Sequence, residues 1–133
     1  MYKSKNHSKY SLTAHIVFAT KYRKKLFNDR LLAEELKAKL IVISYKSNFD
    51  IITLEVDIDH IHILIDYEPN ISIVQIVRRL KQETHHHMWT IFEKELRMYY
   101  WYDRLFWSKG YFVCSIGKGS SYDTIIKYID NQG

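Results

Sequence analysis

The sequence contains one cysteine, Cys114, among 133 residues. An internal disulfide is therefore excluded, and a chain of this length can bury a core without covalent staples or a structural metal. A lone thiol also fits a reducing compartment. No run of about 18 apolar residues occurs, so the sequence offers no transmembrane helix and no membrane partner is expected. Met1 to Tyr10 is polar and basic, with no apolar stretch behind it of the kind a secretory signal requires, so the expected location is the cytoplasm. Proline occurs once and glycine four times. There are no internal repeats, low-complexity tracts or long linkers, and one domain spanning residues 1–133 is expected.

What is present is basic and aromatic. Twenty Lys and Arg against fifteen Asp and Glu leave a net charge of +5, a sign that suits a polyanion such as nucleic acid. A solvated surface accounts for the same charge equally well. Eleven tyrosines help raise the aromatic share to 15%, and planar side chains stack on the unpaired bases of single strands. They fill protein cores as well, so composition alone leaves both uses open.

Hydrophobic periodicity orders the elements. From about Ser11 to Thr20, Leu12, Ala14, Ile16 and Phe18 alternate with Thr13, His15, Val17 and Ala19, the two-residue period of a strand. Asn28 can cap a helix, with Phe27 and Leu32 at staple spacing, and Leu32, Leu36, Leu40 and Ile43 form its apolar stripe to about Lys46. Ile51–Asp57 and Ile61–Tyr67 read as two further strands, closed by Pro69 and Asn70. Ser72 and Gln75 make a capping-box pattern, with Ile71 and Ile76 as a second staple, and open a helix to about Phe92. Tyr111–Ile116 is a fourth strand. Gly117 and Gly119 mark a turn, and Ser120 or Ser121 caps a last helix running through Tyr128 to Gln132. The predicted class is α+β: a ferredoxin-like or RNA-recognition-like βαββαβ antiparallel sheet, helices on one face, plus a C-terminal helix. Such a fold hosts many functions and names none.

The sharpest local feature is His60-Ile61-His62. Residues two apart on a strand share a face, so both imidazoles point one way while Ile61, Ile63 and Ile65 point toward the helix-covered core. Two such imidazoles can share one divalent ion. A bare H-x-H is more often a pair of partly exposed strand histidines, and a second feature is needed. Tyr128 and Gln132, four apart, are neighbours on one face of the last helix, with Thr124 a turn earlier. The run His85-His86-His87 cannot close on one ion, because successive helical residues diverge by roughly 100°; His87 is expected to be semi-buried. His15 lies on the strand face opposite Ala14 and Ile16 and is expected to be a satisfied sheet histidine.

Together these residues resemble the single-tyrosine HUH (His-hydrophobic-His) transposases of small bacterial and archaeal insertion sequences. Besides His60-Ile61-His62, the resemblance rests on Ala14-His15-Ile16-Val17-Phe18-Ala19-Thr20-Lys21-Tyr22-Arg23, on Trp107-Ser108-Lys109-Gly110-Tyr111-Phe112, and on Ile125-Ile126-Lys127-Tyr128-Ile129-Asp130-Asn131-Gln132. It covers nearly the whole chain. It implies that His60 and His62 ligate Mg²⁺ or Mn²⁺, that Gln132 adds a carbonyl oxygen, and that Tyr128 is the nucleophile. The implied substrate is single-stranded DNA with hairpin ends, cut to a 5′-phosphotyrosine and a free 3′-OH and then rejoined. The implied assembly is a homodimer in which the tyrosine helix can complete the neighbouring subunit's site.

Phosphate contacts are expected from Arg23, Lys24 and Lys25 and from Arg78, Arg79 and Lys81, with solvated charged faces as the plain alternative for each cluster. The aromatic group Tyr99, Tyr100, Trp101, Tyr102, Phe106 and Trp107 suits base stacking or core and subunit packing. Three other readings compete. A non-enzymatic RNA- or single-strand-binding module would leave His60, His62 and Tyr128 without a purpose. An HUH nickase or repeat-associated relative would share the chemistry and differ in its DNA. A zinc hydrolase lacks an evident third ligand of the usual type.

Overall fold

The computed structural model describes residues 12–115. In chain order these form β1 (Leu12–Ala19), α1 (Arg30–Tyr45), β2 (Phe49–Val56), β3 (His60–Tyr67), α2 (Ile73–Leu96) and β4 (Phe112–Ser115), with two short 3-10 turns, Lys21–Arg23 and Leu26–Asn28, between β1 and α1. The predicted βαββαβ order is present. The strands make one sheet in the order β2-β3-β1-β4, and every neighbouring pair is antiparallel. The expected last helix, with Tyr128 and Gln132, lies outside the described residues, as do Gly117, Gly119, Ser120 and Ser121.

Alternation sets which face the helices cover. Ala14, Ile16 and Phe18 of β1 and Ile61, Ile63 and Ile65 of β3 are buried, in one cluster with Leu32, Leu36, Leu40 and Ile43 of α1 and Ile76, Val77, Leu80 and Trp89 of α2. Leu12, expected on that face, is instead 45% exposed at the strand's start. β2 changes phase midway. Ile51 pairs with Ile65 but Thr53 pairs with Leu64, so Ile52 is the extra residue of a bulge, and it is exposed. The bulge turns Leu54 and Val56 toward the core and leaves Glu55 opposite His62 on the open face. Without it, the two-residue period set by Phe49 and Ile51 would drive Glu55 inward.

Helix boundaries have local causes. The α1 cap is Asp29, one residue beyond the expected Asn28; its carboxylate accepts from the amides of Leu31 and Leu32 at 2.9 and 3.4 Å. Both residues can cap, and Asn28 is taken up as the last residue of the preceding 3-10 turn. α2 opens with the predicted capping box, Ser72 and Gln75 each satisfying the other's backbone amide. It passes the predicted end at Phe92 with one non-helical residue there (φ −117°, ψ 34°) and continues to Leu96.

The aromatic segment after α2 is partly buried and partly exposed. Tyr100 and Phe106 are buried, whereas Trp101 and Tyr102 are exposed. The Trp89 indole donates to the Leu105 carbonyl (2.9 Å), the Trp107 indole donates to the hydroxyl of buried Thr84 (2.9 Å), and Trp107 packs edge-on against Phe18 and Phe106. The Tyr100 hydroxyl donates to the Lys21 carbonyl at 2.7 Å, and burial pushes its pKa well up. No helix among the described residues is long and apolar enough to cross a membrane.

The shifted cap gives a stability prediction. Asp29→Ala is expected to cost about 1 kcal/mol, and Asn28→Ala less than ~0.5 kcal/mol, read as urea midpoints at constant slope. The reverse order would return the cap to Asn28.

Candidate metal centre

β3 is the strand between β1 and β2, and its outward residues carry the chemistry. Opposite the buried Ile61 and Ile63, His60 and His62 project from the face the helices leave open, with side chains 23% and 11% exposed. Their β1 partners are small or medium, Ala19 beside His60 and Val17 beside His62, which leaves room for both rings. The ring centroids lie 4.7 Å apart at a steep angle.

The β2–β3 turn adds a third group. Asp57 donates its amide to the His60 carbonyl, which closes the hairpin, and its carboxylate turns back over the strand. One oxygen, Oδ2, lies 2.8 Å from His62 Nε2 and 3.1 Å from His60 Nε2. One donor atom from each of these residues falls within a 4.8 Å group, the only such cluster of three or more among the described residues. An octahedral ion with ligands at about 2.1 Å sets adjacent donors roughly 3 Å apart, and Asp57 Oδ2 stands at that spacing from each imidazole nitrogen, a spacing that a hydrogen bond also gives. The sequence reading gave Asp57 no role. The available signal was its spacing, three and five residues before the two histidines, which a tight turn folds back onto the strand.

Behind His60 stands a second carboxylate. Asp59 Oδ1 is 2.7 Å from His60 Nδ1, and Arg23 spans both Asp59 oxygens, Nε to Oδ2 at 3.1 Å and an Nη to Oδ1 at 3.2 Å. Burial alone pushes the Asp59 carboxyl up, but the hydrogen bonds and charges of Arg23 and His60 outweigh it and hold the group below its ordinary value. Arg23 reaches Asp59 from a strained turn: Tyr22 and Arg23 both have positive φ, 61° and 52°. Left-handed backbone costs a non-glycine residue roughly 1 kcal/mol or more and persists only where the surroundings impose it. Here they do: the Thr20 amide donates to the Asp59 carbonyl (2.9 Å), the Phe27 amide to Ile58 (3.0 Å) and the Lys21 amide to Phe106 (2.8 Å).

His15 lies beside this group, its ring centroid 5.8 Å from that of His62. It is buried, and its Nδ1 has no hydrogen-bond partner among the described residues, which corrects the expectation of a satisfied histidine. Burial first, and the neighbouring His62 second, lower its pKa to about 4, so the ring is neutral at neutral pH. His85, His86 and His87 are consecutive residues of α2. His87 is partly buried and pairs with Glu35 at 2.7 Å.

The six expected phosphate-binding residues divide in two. Lys24, Lys25 and Arg78 are exposed. Arg23 is joined to Asp59 and Arg79 to Glu83. Lys81 donates to the carbonyls of Ser108 and Gly110 and sits over the Phe18 ring, and burial lowers its pKa.

Comparison with known proteins agrees with this architecture. Residues 8–132 match the family model described as IS200-like transposase. The transposase of insertion sequence element IS200 from Salmonella typhimurium is 33% identical over 132 residues, which covers 98% of this chain and 82% of that protein. The ISDra2 transposase TnpA of Deinococcus radiodurans is 28% identical, covering 92% of this chain and 85% of its own length. Among solved structures, a transposase from Deinococcus radiodurans superposes with a TM-score of 0.75 at 30% identity, covering 99% of this chain and 98% of that one. A REP-associated tyrosine transposase bound to a REP hairpin shares the fold, with a TM-score of 0.66 at 15% identity over 97% of this chain and 70% of that one. Matched along nearly its whole length, the chain belongs to the IS200-like transposases.

Proposed function

We propose that this transposase cuts and rejoins single-stranded DNA at insertion-sequence ends, with Tyr128 as nucleophile and a divalent ion, Mg²⁺ or Mn²⁺, held by His60 and His62. The observation that carries the reading is the convergence of His60 Nε2, His62 Nε2 and Asp57 Oδ2 on the open face of the sheet. Asp57 joins the proposed ligand set as a carboxylate, and Gln132 supplies an amide oxygen by resemblance to the family. An ion bound there neutralises and polarises a phosphodiester. The chain's residues do the rest. The Tyr128 oxygen attacks phosphorus, the bond from phosphorus to the DNA 3′-oxygen breaks, and that oxygen leaves with the proton the phenol gives up. The products are a 5′-phosphotyrosine and a free 3′-OH. Because one phosphodiester replaces another, a new 3′-OH can reverse the step without an external energy source.

The DNA surface in this reading uses the exposed cations Lys24, Lys25 and Arg78, with Arg79 and Lys81 nearby on α2. The likeness to a hairpin-bound fold relative supports hairpin-ended single strands as substrate. A homodimer, with the tyrosine helix completing a neighbouring site, belongs to the same proposal.

Three outcomes are expected. Labelled single-stranded DNA from the flanks of the element, incubated with Mn²⁺, yields an SDS-resistant adduct, and Tyr128→Phe abolishes it while leaving DNA affinity intact; an adduct in that variant would remove Tyr128 from its role. His62→Ala lowers Mn²⁺ affinity by at least roughly 10–100-fold, the loss that even an outer-shell partner causes, and stops cleavage. Undiminished cleavage in chelator would exclude the metal. Replacing Lys24 and Lys25 together with alanine lowers the salt slope of single-strand binding by ~0.7 per lost contact, and an unchanged slope would take both off the DNA surface.

A further inference from the structure

The Thr20–Lys25 turn lies between β1 and α1, and its first half, Thr20 to Arg23, closes one of the stretches that carry the family resemblance without being used in the proposed strand transfer. Its contacts lead to the metal centre. Thr20, fully buried, donates its amide to the Asp59 carbonyl at 2.9 Å and its hydroxyl to the Lys24 carbonyl at 2.7 Å. The turn is thereby fastened both to itself and to the β2–β3 hairpin. From it the Arg23 guanidinium grips both oxygens of Asp59, and Asp59 Oδ1 meets His60 Nδ1 at 2.7 Å.

We infer that Arg23 and Asp59 are positioning residues for the metal ligand His60, rather than part of the DNA-contacting surface. This rests on the metal reading above and deepens it. An ionised carboxylate only accepts hydrogen bonds, so the proton at this contact sits on His60 Nδ1. Nε2 faces a carboxylate too, Asp57 Oδ2 at 3.1 Å, but an ion bound between them would take the Nε2 lone pair, and Asp59 then holds the tautomer that offers it. Asp59 can hold the ring only if its own carboxylate is held, and a two-pronged guanidinium stops its rotation where a lysine ammonium, a single point of charge, leaves it free. The series runs from strained turn to guanidinium to carboxylate to imidazole to ion. Arg23 never needs to touch DNA to matter for the reaction.

The test titrates MnCl₂ into the full-length chain without DNA and follows heat, for the wild type, Asp59→Asn, Arg23→Met, the double variant and His62→Ala. Asp59→Asn is expected to weaken Mn²⁺ binding about 10–100-fold. Arg23→Met weakens it by a smaller factor, and the double variant binds no more weakly than Asp59→Asn alone, because both act through one carboxylate. Single-strand affinity measured in chelator stays at the wild-type level for Arg23→Met. A second measurement needs no variant: in the Mg²⁺-loaded wild type, the nitrogen shifts of His60 should show the proton on Nδ1. Mn²⁺ affinity unchanged in Asp59→Asn or Arg23→Met overturns the inference, as does a His60 ring protonated on Nε2. If Arg23→Met keeps its Mn²⁺ affinity and loses DNA affinity in chelator, Arg23 is a phosphate contact. Should His62→Ala lose Mn²⁺ while Asp59→Asn does not, this inference alone fails; should the wild type bind no Mn²⁺, the metal reading fails with it.

Discussion

The two-residue period of β3 makes one strand serve two environments. Ile61, Ile63 and Ile65 are fully buried and tie the strand to both helices, while His60 and His62, one residue out of phase, stay on the open face. β3 is hydrogen-bonded along both edges, to β1 and β2, so its register cannot slip by one residue without exposing the three isoleucines and burying the two imidazoles. Burying each isoleucine is worth about 1.5–3 kcal/mol, so the three together outweigh any single polar contact on the open face, where a hydrogen bond to a charged group contributes about as much as one of them. The histidine geometry is thus enforced from behind by the core.

What the pleat does not set is the third side of the site, which comes from the turn. The hairpin between β2 and β3 is fastened from outside by the segment leaving β1, through the Thr20 and Phe27 amides on the Asp59 and Ile58 carbonyls. That segment is anchored in turn by Tyr100 and Phe106, whose hydroxyl and carbonyl hold Lys21. The aromatic stretch after α2 thus supports the turn that fastens the β2–β3 hairpin, through Tyr100 and Phe106, whereas its Trp101 and Tyr102 are exposed.

The strands, both helices and their order were legible in the sequence because hydrophobic period reports burial directly. The pair His60 and His62 was legible for the same reason. Features set by local backbone geometry were not. The bulge at Ile52 sits in an unbroken β-branched run, and its trace was the phase change from Phe49 and Ile51 to Leu54 and Val56. Asn28 and Asp29 are equally able to cap, and the 3-10 turn decided between them. The place of Asp57 beside the two histidines was invisible because a turn residue's direction depends on the turn. The partners of Arg23, Arg79 and Lys81 were hidden because a basic residue's sequence position does not reveal whether a carboxylate or carbonyl lies within reach.

The scarcity of glycine bears on the strained turn. Among the described residues, Gly110 is the one glycine with positive φ, yet Tyr22 and Arg23 adopt left-handed backbone with large side chains. Glycine at those two positions would relieve the strain at no steric cost. At Arg23 it would also delete the guanidinium that grips Asp59, so the backbone cannot be relaxed there without releasing the carboxylate against His60. Tyr22 is exposed and has a lysine ammonium over its ring, 5.2 Å away, a weak interaction that does not offset its backbone strain. Its conformation is held instead by the hydrogen bonds on either side, Lys21 to Phe106 and Arg23 to Thr20, which fasten both ends of the turn. Strain in the turn and order at the imidazole are in this sense one property of the chain.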